Sequence, residues 1–499
     1  MRSRVIALSL AAALAGGCGT VVENPVTGKQ ERSVMDEKTE IAEGRKAHEQ
    51  VLAEYGALKD DKVQAYVNGV GQRLAKQSHR ANLDWHFTVL DSPEINAFAL
   101  PGGYVYVTRG IMAYMESEAD LAGVIGHEIG HVTARHGAQR ATRQQTAGLG
   151  VLAATILGAV LEGRGMSGAG DLASQAAQGV AAGYIASYSR EQELQADGLG
   201  AEYLARTNYD PDNMIDVIQV LQSQERFAAD QAREAGRAAP ERPAWLASHP
   251  SNDQRLKEIR ELAAKYKKKE AGDYADDARA RYLQVVDGLA FGESRAQGVT
   301  RGRNFYHEPL GFALTAPEGW KVQNSPQTLA IVNGEGTAAL LVQVVPNKAG
   351  TTHEEIIRNG IKPEQGRTEK RELNGLSATH FVGTRKDSNG RTQPIELTVV
   401  TGPDNRNYIL GYAARDAQAL QRSRAGLQQA EATFRPISQA DRAAARPWRL
   451  NTVPMPRGGF AELARKSPLP NAEQQLRLIN GVYGGGEEPK AGQPVKVVE

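Results

Sequence analysis

The sequence predicts a multidomain α+β protein: a mainly helical first domain with a small β-sheet, then an α+β domain and a small C-terminal module. The chain has 499 residues, more than one hydrophobic core usually serves. Helical periodicity dominates to about residue 290, and short β-like runs separated by turns dominate 303–437. A basic, alanine-rich linker at 438–446 precedes the last segment, 448–499.

The first residues have the pattern of an export signal. Arg2 and Arg4 precede an apolar run at 5–14, and small residues lead into Cys18. The run is shorter than the roughly 20 apolar residues of a membrane-spanning helix. Cys18 is the only cysteine, and its position resembles the acylated cysteine of bacterial lipoproteins. We expect a signal peptide over 1–17 and a lipid anchor at Cys18, with an ordinary secretory signal as the alternative.

Charge excludes some classes of partner. The chain has 59 Lys and Arg against 58 Asp and Glu, so no overall field favours nucleic acid or anionic lipid. We therefore expect no nucleic-acid partner.

The uncharged stretch 147–161 is too short and too glycine-rich to span a bilayer comfortably. It is either a buried helix or a flap that faces the active site or a membrane.

The first domain is predicted from local patterns in chain order. Apolar residues at 63–74 recur at helical spacing, whereas 85–90 and 103–108 alternate or are rich in β-branched and aromatic residues. Ser117 and Asp120 have the spacing of a capping box before an apolar run. Further helices are expected at 191–205 and 254–267. The domain is expected to end near residue 290.

A metal-binding pattern lies within the helix that Ser117 begins. His127 and His131 are four residues apart, so both imidazoles project from one helix face and can reach one zinc ion. Glu128 lies about 100° further around the helix, where it can act as a general base without coordinating the metal. The alternative is a satisfied histidine pair, which the apolar flanks of this helix disfavour because burial without partners is costly.

A catalytic zinc needs a third protein ligand and one open position. The acidic helix at 191–205 offers Glu193, and by spacing alone Glu191 competes with it. Asp197 lies one turn after Glu193 and can accept a hydrogen bond from a ligand imidazole. A solvated acidic helix face is the alternative to all of these roles.

Over about residues 36–270 the chain resembles the zinc metallopeptidase family of HtpX, BepA and LoiP, gluzincins related to the CAAX prenyl proteases. The resemblance rests on four motifs in order: 96–107 (NAFALPGGYVYV), 127–131 (HEIGH) with His136, 193–197 (ELQAD), and 248–250 (SHP) with Arg255. It implies a mainly helical gluzincin peptidase domain over 18–290 and one Zn²⁺ per chain.

The resemblance also implies roles for individual residues. It favours Glu193 over Glu191 as the third ligand. His249 can approach the metal, and Arg255 faces the developing oxyanion, although a loop histidine and a surface arginine are the alternative. The strand with Gly103, Tyr104 and Val105 could bind an extended peptide by adding it to a sheet edge. His136 could equally be structural or exposed to solvent.

The carboxyl-terminal half carries weaker signals. Residues 303–437 look similar to small PsbP-like lipoprotein domains, and Trp320 is expected to fill a core. Residues 448–499 resemble a degenerate LysM-like module, which could hold the protein near peptidoglycan, or they are a docking tail without a ligand. The helical 34-residue repeats of some family members are not seen.

The expected function is zinc-dependent endoproteolysis of misfolded or misassembled cell-envelope proteins, at the outer membrane and facing the periplasm. Two alternatives stay open. One is a non-enzymatic chaperone or assembly scaffold that uses the cleft to hold unfolded chains. The other is a peptidoglycan-associated binding protein with a subordinate peptidase.

Overall fold

A computed structural model describes residues 20–142, 188–234, 236, 249, 253–267, 274, 278–324, 328–346, 349–386 and 392–499. The expected signal peptide with Cys18 and the stretch 147–161 lie outside these residues. The chain divides into two compact units. One contains the described residues up to Leu289 together with Leu450–Glu499, and the other is Ala290–Arg449. The protein is therefore multidomain, with helices and several sheets.

The first unit is mainly helical. Its helices are Glu37–Tyr55, Asp61–Ala75, Arg109–Met112, Glu118–Thr133, Arg190–Arg206, Asn213–Glu234, Asp253–Tyr266 and Arg279–Val286, followed in the C-terminal segment by Gly459–Ala464 and Ala472–Ile479. Two short strands, Thr20–Glu23 and Gln30–Ser33, form an antiparallel pair. Within the described ranges, no helix is both long enough and apolar enough to cross a membrane.

A three-stranded sheet lies beside these helices. Tyr104–Thr108 is its central strand, parallel to His86–Leu90 and antiparallel to Ala97–Leu100. The expectation that Gly103, Tyr104 and Val105 offer an open edge is therefore wrong, because Tyr104 and Val105 have strand partners on both sides.

The outer side of His86–Leu90 is also occupied. The side chain of Gln64 donates to the Val89 carbonyl at 2.8 Å and accepts from the Val89 amide at 2.9 Å. Ala57 forms a bridge with Leu90. Among the strands that the structure describes, Ala97–Leu100 is thus the edge of this sheet without a further strand partner.

The helix Asp61–Ala75 was predicted from its apolar spacing, and it buries Val63, Val67, Val70 and Leu74. Asp60 caps it, accepting a hydrogen bond from the Val63 amide at 3.1 Å. Two glycines on this helix have different surroundings. A Cβ at Gly69 would meet no atom within 4 Å, whereas a Cβ at Gly71 would lie 2.4 Å from the ring of Phe87.

The same substitution at these two glycines should have opposite effects. Gly69→Ala should raise the free energy of unfolding by up to about 1 kcal/mol, because alanine has the higher helix propensity. Gly71→Ala should lower it by about 1–3 kcal/mol, because the new methyl group overpacks a buried ring. Urea unfolding followed by circular dichroism measures both, and equal midpoints for the two variants would contradict this packing.

The C-terminal segment (Leu450–Glu499) belongs to the first unit. It contains two helices between two strands, and Trp448–Pro454 pairs with Pro494–Val498 in antiparallel register. Asn480 joins its second helix to its last strand: the Asn480 side chain accepts from the Lys496 amide and donates to the Lys496 carbonyl, both at 2.8 Å. The last strand is therefore held by side-chain as well as backbone bonds.

The second unit is built on a seven-stranded antiparallel sheet. Its strand order is Lys321–Asn324, Leu329–Val332, Ala338–Val344, Asn407–Ala414, Thr392–Thr401, Leu376–Lys386 and Gln365–Leu373. The helix Ala417–Ala432 contributes Leu427 and Ala430 to the main core, and Trp320, which was predicted to fill a core, is partly buried and packs against it.

Smaller elements complete this unit. Arg435–Pro436, Phe312–Thr315, Asn304–His307 and Val299–Arg301 form a four-stranded sheet, and Ala290–Phe291 pairs with Trp448 and Arg449. The remaining helical pieces are His353–Glu355, Ile356–Ile361, Pro403–Asn405 and Gln439–Ala444. This unit is thus β-rich, with one large sheet and one long helix.

Candidate metal centre

Two helices approach closely at the predicted site. The histidine helix (Glu118–Thr133) starts at the predicted capping box of Ser117 and Asp120, and all of its residues are buried. The glutamate helix (Arg190–Arg206) starts at a second capping box, formed by Ser189 and Gln192. Each helix therefore has its first backbone amides satisfied locally.

Small residues bring the two helix backbones together. A Cβ at Gly130 would lie 2.9 Å from the Ala196 carbonyl oxygen, and a Cβ at Gly200 would lie 3.1 Å from the His127 amide nitrogen. At Gly126 it would lie 3.4 Å from the Cα of Gly200. This close contact places the acidic residues of one helix beside the histidines of the other.

Four buried side chains converge between these helices. His127, His131, Glu193 and His249 each offer one ligand atom, and these atoms all lie within 4.8 Å of one another. The Nε2 atoms of His127 and His131 are 3.0 Å apart. The carboxylate of Glu193 lies 3.6 Å from the first of these nitrogens and 3.5 Å from the second.

The donor set and its spacing fit one zinc ion. Ligand atoms held tetrahedrally at about 2.0–2.1 Å from zinc are about 3.3 Å apart, close to the separations just given. His249 Nδ1 lies 3.1 Å from His127 Nε2 and 2.9 Å from Glu193 Oε1. Glu191, which competed with Glu193 on spacing alone, is exposed.

Glu128 lies beside this group rather than in it. Its side chain is fully buried, and its Oε1 lies 3.5 Å from His249 Nε2. The four potential ligands do not include it. A carboxylate next to a metal position but outside the ligand set can accept a proton from water held there.

Further side chains orient the imidazoles. His127 Nδ1 lies 2.9 Å from Asp197 Oδ1, so a proton on Nδ1 leaves Nε2 free to coordinate. The Nδ1 of His131 lies 2.9 Å from the Nδ1 of His136, whose Nε2 is 3.0 Å from Gln195 Oε1. His136, whose role was open from the sequence, is thus buried behind the second histidine. Gln195 was not singled out from the sequence.

Burial and nearby charges shift the pKa values of two residues in the cluster, His131 and Glu193. Burial, together with the nearby His127, His136 and His249 rings, holds the pKa of His131 well below its usual range. Burial alone would raise the pKa of Glu193, but His249 and Arg255 outweigh it and lower that pKa. The lowered pKa of His131 favours its neutral, metal-binding form, and the lowered pKa of Glu193 favours its ionised form.

Arg255 is directed at carboxylates. Its Nε and Nη2 donate to the two oxygens of Asp197 at 2.8 Å each, and its Nη1 lies 3.0 Å from Glu193 Oε2. Burial would raise the pKa of Asp197, but this guanidinium holds it well below its usual range. The resemblance implied an arginine facing the oxyanion, whereas in the structure Arg255 pairs with Asp197, which orients His127, and with the potential metal ligand Glu193.

Removing Arg255 should therefore destabilise the first unit strongly. Arg255→Ala leaves two buried carboxylates without their cation, a loss that typically costs about 3–5 kcal/mol. Arg190→Ala is the matched control, because Arg190 pairs with Glu258 but is half exposed, and such pairs contribute about 0–1 kcal/mol. Urea unfolding midpoints compare the two variants, and equal shifts would contradict the buried pair.

Tyr188 is a site residue that the sequence reading missed. Its ring stacks on His131 with centroids 3.9 Å apart and an interplanar angle of 23°. The guanidinium of Arg140 lies 4.4 Å from the centre of the same ring. The only local signal was its place directly before Ser189, which does not reveal that it covers a ligand.

Comparison with known proteins agrees with this geometry. Residues 61–263 match peptidase family M48. The chain is 30% identical over 247 residues to the beta-barrel assembly-enhancing protease of Yersinia pestis, covering 49% of this chain and 48% of that protein. For the Escherichia coli (strain K12) protein of the same name, the match is 30% over 210 residues, or 41% and 40%.

Two further comparisons concern a mitochondrial relative and one solved structure. The mitochondrial metalloendopeptidase OMA1 of Schizosaccharomyces pombe is 29% identical over 220 residues, 43% of this chain and 58% of that protein. Cyanobacterial PsbP from Synechocystis sp. PCC 6803 matches 28% of this chain and 98% of its own at 12% identity, with a TM-score of 0.20. A score this low supports no argument about fold.

The matches to the protease relatives cover only part of each protein. The chain spans about half the length of the bacterial relatives it matches. The matched region holds the histidine helix, the glutamate helix and the neighbouring sheet, and its four buried ligand groups fit a single zinc ion. Over residues 61–263 this chain carries a peptidase family M48 domain.

Proposed function

We propose that this chain is a zinc-dependent endopeptidase. The observation that carries the proposal is the buried group of His127, His131, Glu193 and His249 with the carboxylate of Glu128 beside it. Three protein ligands and one exchangeable position are the arrangement of a hydrolytic zinc site. We propose that His127, His131 and Glu193 would hold the ion and that His249 would occupy the position open to exchange.

The protein groups divide the chemistry between them. Zinc, when bound by these residues, supplies Lewis-acid chemistry. Glu128 takes a proton from the attacking water and returns it to the leaving amine. Asp197 keeps the proton of His127 on Nδ1, and Arg255 keeps Asp197 and Glu193 ionised. His249 is the cleft residue that can approach the oxyanion, while Arg255 acts through the carboxylates.

The substrate needs an extended backbone partner near the metal ligands. Ala97–Leu100 supports this role as the edge strand of the sheet: its four residues are buried, but it has no further strand partner among the described residues, and an extended peptide can add to such an edge through main-chain hydrogen bonds. We therefore move the proposed substrate strand from Gly103, Tyr104 and Val105 to Ala97–Leu100. Peptides bound in this way are recognised largely by their backbone, which suits unfolded chains of varied sequence.

We propose misfolded or misassembled envelope proteins as substrates. Two relatives are named beta-barrel assembly-enhancing proteases, and the proposal extends that setting to this chain. The residues before Cys18 support export and a lipid anchor, and Gly19 after the cysteine supports sorting to the outer membrane, facing the periplasm. The proposed domains remain a signal peptide at 1–17, the peptidase at 18–290, a PsbP-like domain at 303–437 and a LysM-like segment at 448–499.

Two other functions remain as alternatives. A chaperone or assembly scaffold would hold unfolded chains in the same cleft without cleaving them. A peptidoglycan-associated protein would bind cell wall through 448–499. A pull-down of the full chain on purified peptidoglycan tests the second, with soluble glycan fragments as competitor.

Metal removal tests the proposed activity. Protein from Gly19 onward should contain one zinc per chain and cleave casein. Treatment with a zinc chelator should abolish cleavage, and added zinc should restore it, because the open-site chemistry depends on the ion. Cleavage that persists in chelated, zinc-free protein would refute the proposal. Stoichiometric zinc with no cleavage would favour the scaffold.

A further inference from the structure

A lysine three residues before the C-terminus is fully buried against the residues that precede the histidine helix. The Lys496 side chain has no exposed surface. Its ammonium lies 3.0 Å from the Ala113 carbonyl oxygen, 2.7 Å from the Met115 carbonyl oxygen and 2.8 Å from Glu116 Oε1. The two carbonyl contacts are hydrogen bonds and the Glu116 contact is an ion pair, so loss of the ammonium would leave buried acceptors and a carboxylate without this partner, which is costly.

The acceptors lie directly before the first turn of the histidine helix. Ser117 caps that helix, and the amides of Glu116 and Ser117 donate to Asp120 Oδ2 at 2.8 and 3.2 Å. The second carboxylate oxygen of Glu116 accepts from Arg279 at 2.8 Å. Lys496 therefore binds the same short segment whose backbone forms the helix cap.

The rest of the C-terminal segment is anchored close by. Tyr483 donates to Asp230 Oδ2 at 2.9 Å, and Arg226 donates to the Gly484 carbonyl at 3.2 Å. Asp230 and Arg226 lie on the helix Asn213–Glu234, which also packs against the histidine helix. The C-terminal segment thus contacts both the cap of the histidine helix and a helix that supports it.

We infer that the C-terminal strand, through Lys496, holds the N-terminal end of the histidine helix and thereby positions the metal ligands. The part of this inference that concerns the metal rests on the proposed function. Lys496 acts here as a positioning residue, since it contacts the segment before the helix and no ligand. The last strand of residues 448–499 then helps to position the histidine helix of the peptidase unit, whether or not this segment also binds peptidoglycan.

Lys496→Met tests the inference, because methionine keeps most of the side-chain volume and removes the ammonium. Lys490→Met is the matched control: Lys490 lies in the same segment, and its side chain is 78% exposed. Hydrogen–deuterium exchange of the full chain from Gly19 onward is compared for residues 113–126 and for the sheet residues 86–108. Zinc release to an excess of chelator is measured on the same folded samples.

Lys496→Met should exchange about tenfold faster at 113–126, with 86–108 unchanged, because the loss is a local opening. It should also release zinc faster than wild type, and unchanged exchange at 86–108 in the same samples would show that global unfolding is not the route of release. Lys490→Met should match wild type in both measurements. Wild-type exchange at 113–126, or wild-type zinc release, in folded Lys496→Met would overturn the inference.

A second variant covers the case in which Lys496→Met does not fold. Glu116→Gln keeps the two carbonyl contacts and removes one charge, so it should give the same local change at smaller size. Wild-type exchange at 113–126 in Glu116→Gln would then overturn the inference. Failure of the proposed function can be distinguished from failure of this inference, because hydrogen–deuterium exchange at 113–126 can also be measured in a chain that binds no zinc and cleaves nothing.

Discussion

Glu128→Gln is expected to reduce casein cleavage by roughly a thousandfold or more, in line with the loss of a general base, while zinc binding is retained. Glutamine has the shape of glutamate but cannot accept the proton of the attacking water. Glu128 lies outside the four-residue ligand group, so that group is unchanged. Zinc content by metal analysis and initial cleavage rates measure the two effects on one preparation.

The control for this variant is its own zinc stoichiometry and unfolding midpoint. A Glu128→Gln protein that is folded, holds one zinc and cleaves at the wild-type rate would remove Glu128 from the mechanism. Envelope function that persists in this variant without cleavage would instead favour the chaperone or scaffold alternative.

Glu193→Ala is expected to lose zinc and, with it, activity. Mutating residues behind a metal ligand typically costs about 10–100-fold in metal affinity, and removing a ligand carboxylate should cost more than that. The change also leaves Arg255 with one carboxylate partner fewer. Zinc affinity measured by competition with a chelating dye, at constant pH, gives the size of the loss.

Glu191→Ala is the matched control for this prediction. Glu191 lies two residues earlier in the glutamate helix, is exposed, and was the competing ligand on spacing alone. It should bind zinc with wild-type affinity. Stoichiometric, tight zinc in Glu193→Ala, or its loss in Glu191→Ala, would contradict the ligand assignment.

Local patterns determined the part of the site that lies within one helix. The four-residue spacing of His127 and His131 fixes a shared helix face, because helix geometry repeats every 3.6 residues. The capping box at Ser117 and Asp120 could also be predicted from local sequence, because its two partners are three residues apart. The helix at Asp61–Ala75 followed from its apolar spacing alone.

The spacing of residues along the sequence does not predict contacts between segments that are far apart in the chain. Glu191 and Glu193 are both on the glutamate helix. Spacing alone did not distinguish them as third metal ligand, whereas the resemblance to the peptidase family favoured Glu193. The direction of Arg255 toward Asp197 and the stacking of Tyr188 on His131 have no local signal. Such partners depend on how closely backbones approach, here through glycines such as Gly130 and Gly200.

The sequence by itself therefore determined the helix with its paired histidines, and it predicted Glu128 as the general base and an outline of several domains. Only the tertiary structure decided which strand lies at the edge of the small sheet, and that Lys496 reaches the segment before the histidine helix. The reason is physical. Helix periodicity and caps are set by neighbours a few residues away, whereas strand order and the burial of a distant ammonium are set by packing of the whole unit.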